Sequence, residues 1–296
     1  MRILITGASG FLGSALARYW SARGRRVGLL LRPTSSTRRL AGLTPDAVLM
    51  RCGDDEQLVS AVVAWAPDIV VHTACVYGRA GESALALLDS NVRLGLLILE
   101  CLQAKISPTL FLNTGSVLAP DVSAYALSKH QFAQWGHQVA TRANGQVRFT
   151  NIRLQHMYGP GDDASKFVTH VLHACHGHQP RLDLTAGVQQ RDFIHIDDVV
   201  QAYDCMVENH QNLAVLPDIQ VGSGVAPTVQ CLVETAHRML GSHTVLNFGA
   251  LPYRSGEPMH CQADISVLQG MGWTPQHTLE QGLQSTIEKE FGACVC

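Results

Sequence analysis

The sequence predicts an α/β fold, a doubly wound parallel sheet with a smaller C-terminal lobe. Three observations lead to it. Short, continuously apolar runs alternate with helical patterns through the first half of the chain. A glycine-rich turn joins the first run to the first helix, and after Gly161 the rhythm becomes less regular. Runs that are apolar throughout mark strands buried on both faces, as in a parallel sheet whose ligands sit beyond the strands' carboxyl ends.

The first strand, Arg2–Thr6, enters Gly7-Ala-Ser9-Gly10-Phe11-Leu12-Gly13 and a helix over Phe11–Arg23. Glycines there let the main chain approach a ligand, and the N–H groups of the helix start can hold a pyrophosphate. Ser9, Phe11 and Leu12 join the three glycines as candidate cofactor contacts in this Rossmann-type turn. The second strand, Arg26–Leu31, ends at Arg32. A site for NAD needs a carboxylate there for the ribose 2′-hydroxyl. Arg32-Pro-Thr-Ser-Ser-Thr-Arg38-Arg39 offers guanidinium groups and hydroxyls instead, which suit a 2′-phosphate, so NADPH is expected over NAD.

The third strand, Ala47–Cys52, leads to Asp54 and Asp55, either able to accept from an adenine amino group, and to a helix over Asp55–Trp65. Ile69–Thr73 is the fourth strand. Thr73, Ala74 and Cys75 follow as small residues where a cofactor would press on backbone. Asn91 opens a helix to Gln103, either as a brace between elements or as a catalytic part. Strand Thr109–Asn113, helix Ala124–Arg142 and strand Val147–Leu154 complete the alternation.

Tyr125-Ala-Leu-Ser-Lys129 puts a phenol and an ammonium on one helix face. The lysine charge is expected to lower the tyrosine pKa from about 10 towards working pH. With the glycine turn, this pair points to a nicotinamide oxidoreductase using a tyrosine acid/base.

Composition excludes other classes. Of 296 residues, 46% are hydrophobic and the formal net charge is −2, which suits neither disorder nor a nucleic-acid surface. No run of about 18 apolar residues suggests a membrane span, and with the first strand at the start of the sequence no cleaved signal is expected. The expected location is the cytoplasm. Nine cysteines without a CxxC pair suit reduced thiols, and Cys294 and Cys296 read as a frayed tail. His173-Ala-Cys175-His176-Gly-His178 reads as a helix end and polar turn, so no metal site is expected.

Beyond Tyr158-Gly-Pro-Gly161 the expected elements are a helix near Lys166–Cys175 and a strand pair, Arg181–Leu184 with Arg191–Ile194. A helix near Asp197–Glu208, a strand at Ile219–Val221 and helices near Thr228–Leu240 and Asp264–Gln269 follow. The expected division is a dinucleotide-binding domain over 1–157 plus about 188–217. A substrate lobe then takes about 158–187 and 218–291, with a tail over 292–296 and a cleft between the two parts.

These residues resemble the extended short-chain dehydrogenase/reductase, or NAD-dependent epimerase/dehydratase, family over essentially the whole chain. The resemblance rests on Thr6-Gly-Ala-Ser-Gly-Phe-Leu-Gly13, His72-Thr-Ala74, the Tyr125/Lys129 pair and Arg153 through Tyr158-Gly-Pro160. Gln190-Arg-Asp-Phe-Ile-His-Ile-Asp-Asp198, Arg254-Ser-Gly-Glu257, Asp264 and Gly272-Trp273-Thr-Pro275 extend it. Phe111-Leu-Asn-Thr-Gly-Ser116, Leu154-Gln-His-Met-Tyr-Gly-Pro-Gly-Asp162, Lys166-Phe167 and Arg191-Asp-Phe-Ile194 resemble the CDP-abequose synthase-like 4-ketoreductases within that family.

The resemblance implies reduction of the 4-keto group of a nucleotide-diphospho-deoxyhexose, CDP- or dTDP-linked. The competing readings are an NAD-dependent 4-epimerase and a non-enzymatic sensor on the same fold. It makes Tyr125 the proton donor and Thr114 a second hydrogen bond to the reacting oxygen. Lys129 would tune Tyr125 and hold the nicotinamide ribose. Ser116 and His156 fall on the substrate side, His156 also beside the cofactor or equally in a core role. Arg191 and Arg254, with Lys166, would meet the diphosphate. Base contacts would come from around Leu182–Thr185 and Ser223–Pro227. Related dehydratases carry an Asp-Glu pair where this chain has Gly115 and Ser116, so elimination chemistry is not expected. Val117-Leu-Ala119 departs from the family's Val-Tyr-Gly and affects loop shape. A homodimer formed through two helices of each subunit is the implied assembly.

Overall fold

The structure, a computed structural model, describes residues 1–105, 107–211, 213, 218–254 and 256–292; Cys294 and Cys296 lie outside them. It divides into two units, Met1–Arg153 with Tyr203–Ile219, and Leu154–Ala202 with Gln220–Cys296.

In chain order the first elements are β1 (Arg2–Thr6), α1 (Phe11–Ala22), β2 (Arg26–Leu31), β3 (Val48–Arg51), α2 (Asp55–Trp65) and β4 (Ile69–His72). Then come α3 (Ala84–Leu88), α4 (Leu94–Gln103), β5 (Thr109–Thr114), α5 (Ala124–Arg142) and β6 (Val147–Leu154). The remainder comprises β7 (His156–Tyr158), α6 (Phe167–His176), β8 (Arg181–Asp183), β9 (Gln190–Arg191), β10 (Phe193–His195) and α7 (Ile196–Glu208). It closes with β11 (Asp218–Val221), α8 (Val229–Met239), β12 (Val245–Asn247), β13 (His260–Cys261), α9 (Ser266–Gly270) and α10 (Leu279–Phe291).

The first unit carries the expected doubly wound sheet. Its strand order is β11-β6-β5-β4-β1-β2-β3, and every neighbouring pair from β6 across to β3 is parallel. The chain leaves β3 and re-enters at β4, so the order reverses beside β1, which is where such sheets bind ligands. Register sets the strand ends level, with Thr6 beside His72 and His72 beside Asn113. Strands β1 and β4 are wholly or nearly wholly buried, which explains their unbroken apolar runs. Phe111, Phe132 and Phe149 pack together between sheet and helices, with centroids 5.5–5.9 Å apart. Side-chain caps start α2 at Asp54 and α5 at Ser123, each worth about 1 kcal/mol.

The second unit has its own core, built from Val171 and Leu172 of α6, Leu232 and Val233 of α8, and Leu283 of α10. Its strand pairing corrects the sequence expectation. Strands β8 and β9 do not pair with one another: β8 pairs with β12, β9 with β13 and β10 with β7, all in parallel. The connection between β8 and β9 is held against α8 instead. Gly187 and Gln189 accept from the N–H groups of Gln230 and Val229 at the start of α8, both at 2.9 Å. Among the described residues no helix is long and apolar enough to cross a membrane.

Candidate functional site

The glycine turn is built as a strand-to-helix corner. Gly7 has φ +63°, and a Cβ on it would stand 2.6 Å from the Ala74 nitrogen; on Gly13 it would stand 2.4 Å from the Gly7 carbonyl. Larger residues at either position would force β1, α1 and the end of β4 apart. Gly10 is the N-cap of α1 and contributes no side-chain hydrogen bond. Gly10 therefore offers the first-turn N–H groups no side-chain acceptor, an arrangement suited to a pyrophosphate. Thr6 fastens the neighbouring strand: its Oγ1 lies 2.8 Å from His72 Nδ1, and its carbonyl accepts from Thr73 Oγ1 at 2.8 Å. Burial, and then the charge of Lys129, push His72 down to about 3, so the ring is neutral.

At the end of β2, Arg32 is exposed, as are Arg38 and Arg39. The segment they stand on is held by a residue the sequence did not single out. Arg51, the last residue of β3, donates from Nη1 to the carbonyls of Pro33 (2.7 Å), Arg32 (3.2 Å) and Ser35 (3.3 Å). An arginine closing an edge strand beside a polar loop is a weak signal, and nothing local distinguishes it from a solvated charge. Asp54 and Asp55 have partners of their own. Asp54 caps α2 by accepting from the Gln57 N–H at 2.8 Å, and Asp55 pairs with Arg93.

The carboxyl end of β5 and the start of α5 bring together Thr114, Ser116, Tyr125 and Lys129. Ser123 Oγ accepts from the Ala126 N–H at 3.1 Å, which begins α5 just before Tyr125. Tyr125 shares a hydrogen bond with Ser116 and lies against Tyr77, centroids 4.8 Å apart. Lys129, one turn on, is only 2% exposed. Asn91 proves to be a brace: Oδ1 accepts from the Val76 N–H at 2.7 Å, and Nδ2 donates to the Val76 carbonyl and to Ser128 Oγ, both at 2.9 Å. Ser128 in turn donates to the Tyr125 carbonyl at 2.8 Å. Thr114 Oγ1 lies 2.7 Å from the hydroxyl of Tyr203, a residue the sequence reading did not single out.

The electrostatics correct one expectation. Lys129 does not bring the Tyr125 phenol down. Burial, and secondarily Cys75, push it well up, with Arg79 and the Ser116 hydrogen bond opposing. Lys129 is itself lowered by burial, with Cys75 pulling the other way. Desolvation is the largest cause at both groups, Lys129 being buried and Tyr125 half-buried.

In the second unit His156 takes the Asp192 carbonyl on its own N–H at 3.1 Å and packs edge-on against Phe193. Its ring is pushed down to about 4 by burial first, then by Arg191 and Lys166, and its Nδ1 is buried without a partner among the described residues. Arg191 is buried and ion-paired with Glu257, so the expected phosphate ligand already holds a carboxylate. Arg254 stands exposed on the same segment, its carbonyl accepting from the Glu257 N–H at 3.1 Å. Lys166 is the N-cap residue of α6. Asp192 organises the surrounding backbone, accepting from Ser223 N–H (2.6 Å), Gly224 N–H (3.0 Å) and Ala263 N–H (3.1 Å).

The 173–178 stretch is a helix end: α6 stops at His176, whose ring stacks on Phe291 at 4.1 Å. A different trio, His195, Asp197 and His277, has donor atoms within 4.8 Å of one another. Lys289 pairs with Asp197 at 3.2 Å, Asp198 lies 3.0 Å from His277 Nδ1, and His195 Nδ1 accepts from the Asp197 N–H at 3.3 Å, while His195 Nε2 is buried without a partner among the described residues.

A glycine turn beside the strand-order reversal and a tyrosine–lysine helix beside β5 define a nucleotide-dependent α/β enzyme. A sequence profile of the NAD dependent epimerase/dehydratase family matches residues 3–222, and the chain belongs to that family. Within it, CDP-abequose synthase of Salmonella typhimurium is 30% identical over 97% of this chain and 97% of its own length. The CDP-abequose synthase of Salmonella muenchen is 27% identical with the same coverage. The fold is similar to that of UDP-glucuronic acid 4-epimerase from Bacillus cereus, solved with UDP-glucuronic acid and NAD. That likeness has a TM-score of 0.83 at 21% identity and covers 98% of both chains.

Proposed function

We propose that this enzyme reduces the 4-keto group of a CDP- or dTDP-linked (di)deoxyhexose, with NADPH as reductant. The observation that carries this reading is exposed Arg32 at the end of β2, in a stretch over 32–39 that contains no carboxylate. Likeness to two CDP-abequose synthases along nearly the whole chain supports the substrate class. The bare N-cap at Gly10 and the positive φ of Gly7 fit a bound dinucleotide. Thr73, Ala74 and Cys75 would flank it, and Asp54 or Asp55 would face the adenine.

When bound, NADPH supplies the hydride. Tyr125 gives its proton to the carbonyl oxygen as negative charge builds there, which requires a phenol that begins protonated. Burial favours that state. Ser116 orients the phenol, and Thr114 donates a second hydrogen bond to the same oxygen. Lys129 holds the nicotinamide ribose and eases the charge left on Tyr125. Arg191, Arg254 and Lys166 bind the diphosphate, with His156 on the substrate side. The reading includes a cytoplasmic homodimer, supported by exposed Leu85 and Leu88 near α3 and Leu127 and Trp135 on α5.

An NAD-dependent 4-epimerase is the second reading, favoured by the fold likeness to an epimerase solved with NAD. A panel of CDP-, dTDP-, UDP- and GDP-linked 4-keto sugars, with NADPH consumption followed optically, separates the two. Net NADPH oxidation with a CDP or dTDP substrate, faster than with NADH, is expected. Copurifying NAD that does not exchange, with C4 epimers interconverted and no net oxidation, would replace the reductase by the epimerase.

A further inference from the structure

Beside the residues assigned to the reaction lies a further buried hydroxyl. Tyr203, on α7, is 0% exposed, and its hydroxyl lies 2.7 Å from Thr114 Oγ1. A phenol in an apolar core is costly unless its O–H finds an acceptor. Among the described residues, Thr114 is the hydrogen-bond partner of Tyr203. That determines the direction of the bond. Were Thr114 to donate, the phenol proton would be left buried with no acceptor. Tyr203 therefore donates and Thr114 accepts, and the Thr114 proton is left for a different acceptor. A hydroxyl that accepts one hydrogen bond also becomes a better donor for the next.

We infer that Tyr203 is a positioning residue that orients Thr114 as a hydrogen-bond donor towards the reacting oxygen. The inference rests on the role given to Thr114 in the proposed reaction. Burial pushes the Tyr203 phenol up, so it keeps its proton wherever the enzyme works. Tyr203 also acts electrostatically on Tyr125.

A double-mutant cycle tests this. Tyr203→Phe keeps the ring in the core and removes only the donor. Its kcat should fall about three- to ten-fold, the usual range for one neutral hydrogen bond, with KM unchanged and thermal unfolding still cooperative and only slightly earlier. In a Thr114→Val background the same change should cost nothing further, whereas Thr114→Ser, which keeps a hydroxyl, should keep the sensitivity. Turnover is read in whichever direction the wild type runs, so the cycle holds for reductase and epimerase alike. Wild-type kcat in Thr114→Val would remove Thr114 from the reaction. A large loss there with an equal, additive effect of Tyr203→Phe would overturn the part given to Tyr203 alone.

Discussion

Tyr125 is the residue on which the proposed chemistry turns, and its environment is drier than its neighbour Lys129 suggests. Without its hydroxyl the carbonyl oxygen has no strong proton donor. Tyr125→Phe should lower kcat by about 10²–10⁴-fold, while dinucleotide affinity, measured by fluorescence titration, stays as in the wild type. Near-full kcat in that variant would take Tyr125 out of the mechanism. Arg191 has a double role because it holds Glu257 as well as a proposed diphosphate. Its removal should raise KM more than it lowers kcat, since the diphosphate keeps its charge through the reaction. It should also cost about 1–3 kcal/mol of stability by stranding the Glu257 carboxylate. Arg191→Ala with Glu257→Gln should then recover stability in urea titrations but not KM. An unchanged KM in both variants would place the diphosphate elsewhere.

Between α3 and α4 the chain makes a π-helical turn over Asp89–Arg93, and this irregularity delivers Asn91 to two elements at once. Asn91 satisfies both backbone groups of Val76 and grips Ser128 on α5. The brace holds the loop after β4 against the helix that carries Tyr125 and Lys129. Asn91→Ala should therefore cost about 1–3 kcal/mol, because the paired groups of Val76 lose their partner. Hydrogen exchange in the first turn of α5 should rise in parallel. Unchanged exchange there, with lowered stability, would mean that the brace serves the loop alone.

Across the whole molecule, two buried histidines, His72 and His195, and the half-buried His156 make stability depend on pH. His72 is pushed down to about 3, and His156 and His195 to about 4, with burial the largest cause in each. In the unfolded chain these rings titrate near 6.5. Below that value the unfolded state binds more protons than the folded one, so stability rises with pH in this window. The contribution is complete above about pH 6.5 and is lost as pH falls towards 4, at up to about 1.4 kcal/mol per pH unit per ring. Urea unfolding at pH 7.5, 6 and 5 should show the decline, and His156→Asn should flatten part of it. Equal stability at pH 7.5 and pH 5 would show that these rings are not held neutral.

What the sequence determined by itself was what short-range physics encodes. Unbroken apolar runs named the strands of a parallel sheet, the glycine spacing named the turn, and a four-residue step put Tyr125 and Lys129 on one face. The helix Leu279–Phe291 was less legible, being mostly polar and interrupted by Gly282, whose place is set by contact with Tyr158. Tertiary structure alone decided the rest. Tyr203 lies 89 residues from Thr114 and Glu257 lies 66 from Arg191, so no local pattern links them. The strands of the second unit likewise take partners from distant segments. The upward shift of Tyr125 belongs to the same class. A charge four residues away is visible in a sequence, but the desolvation that outweighs it exists only once the chain has packed.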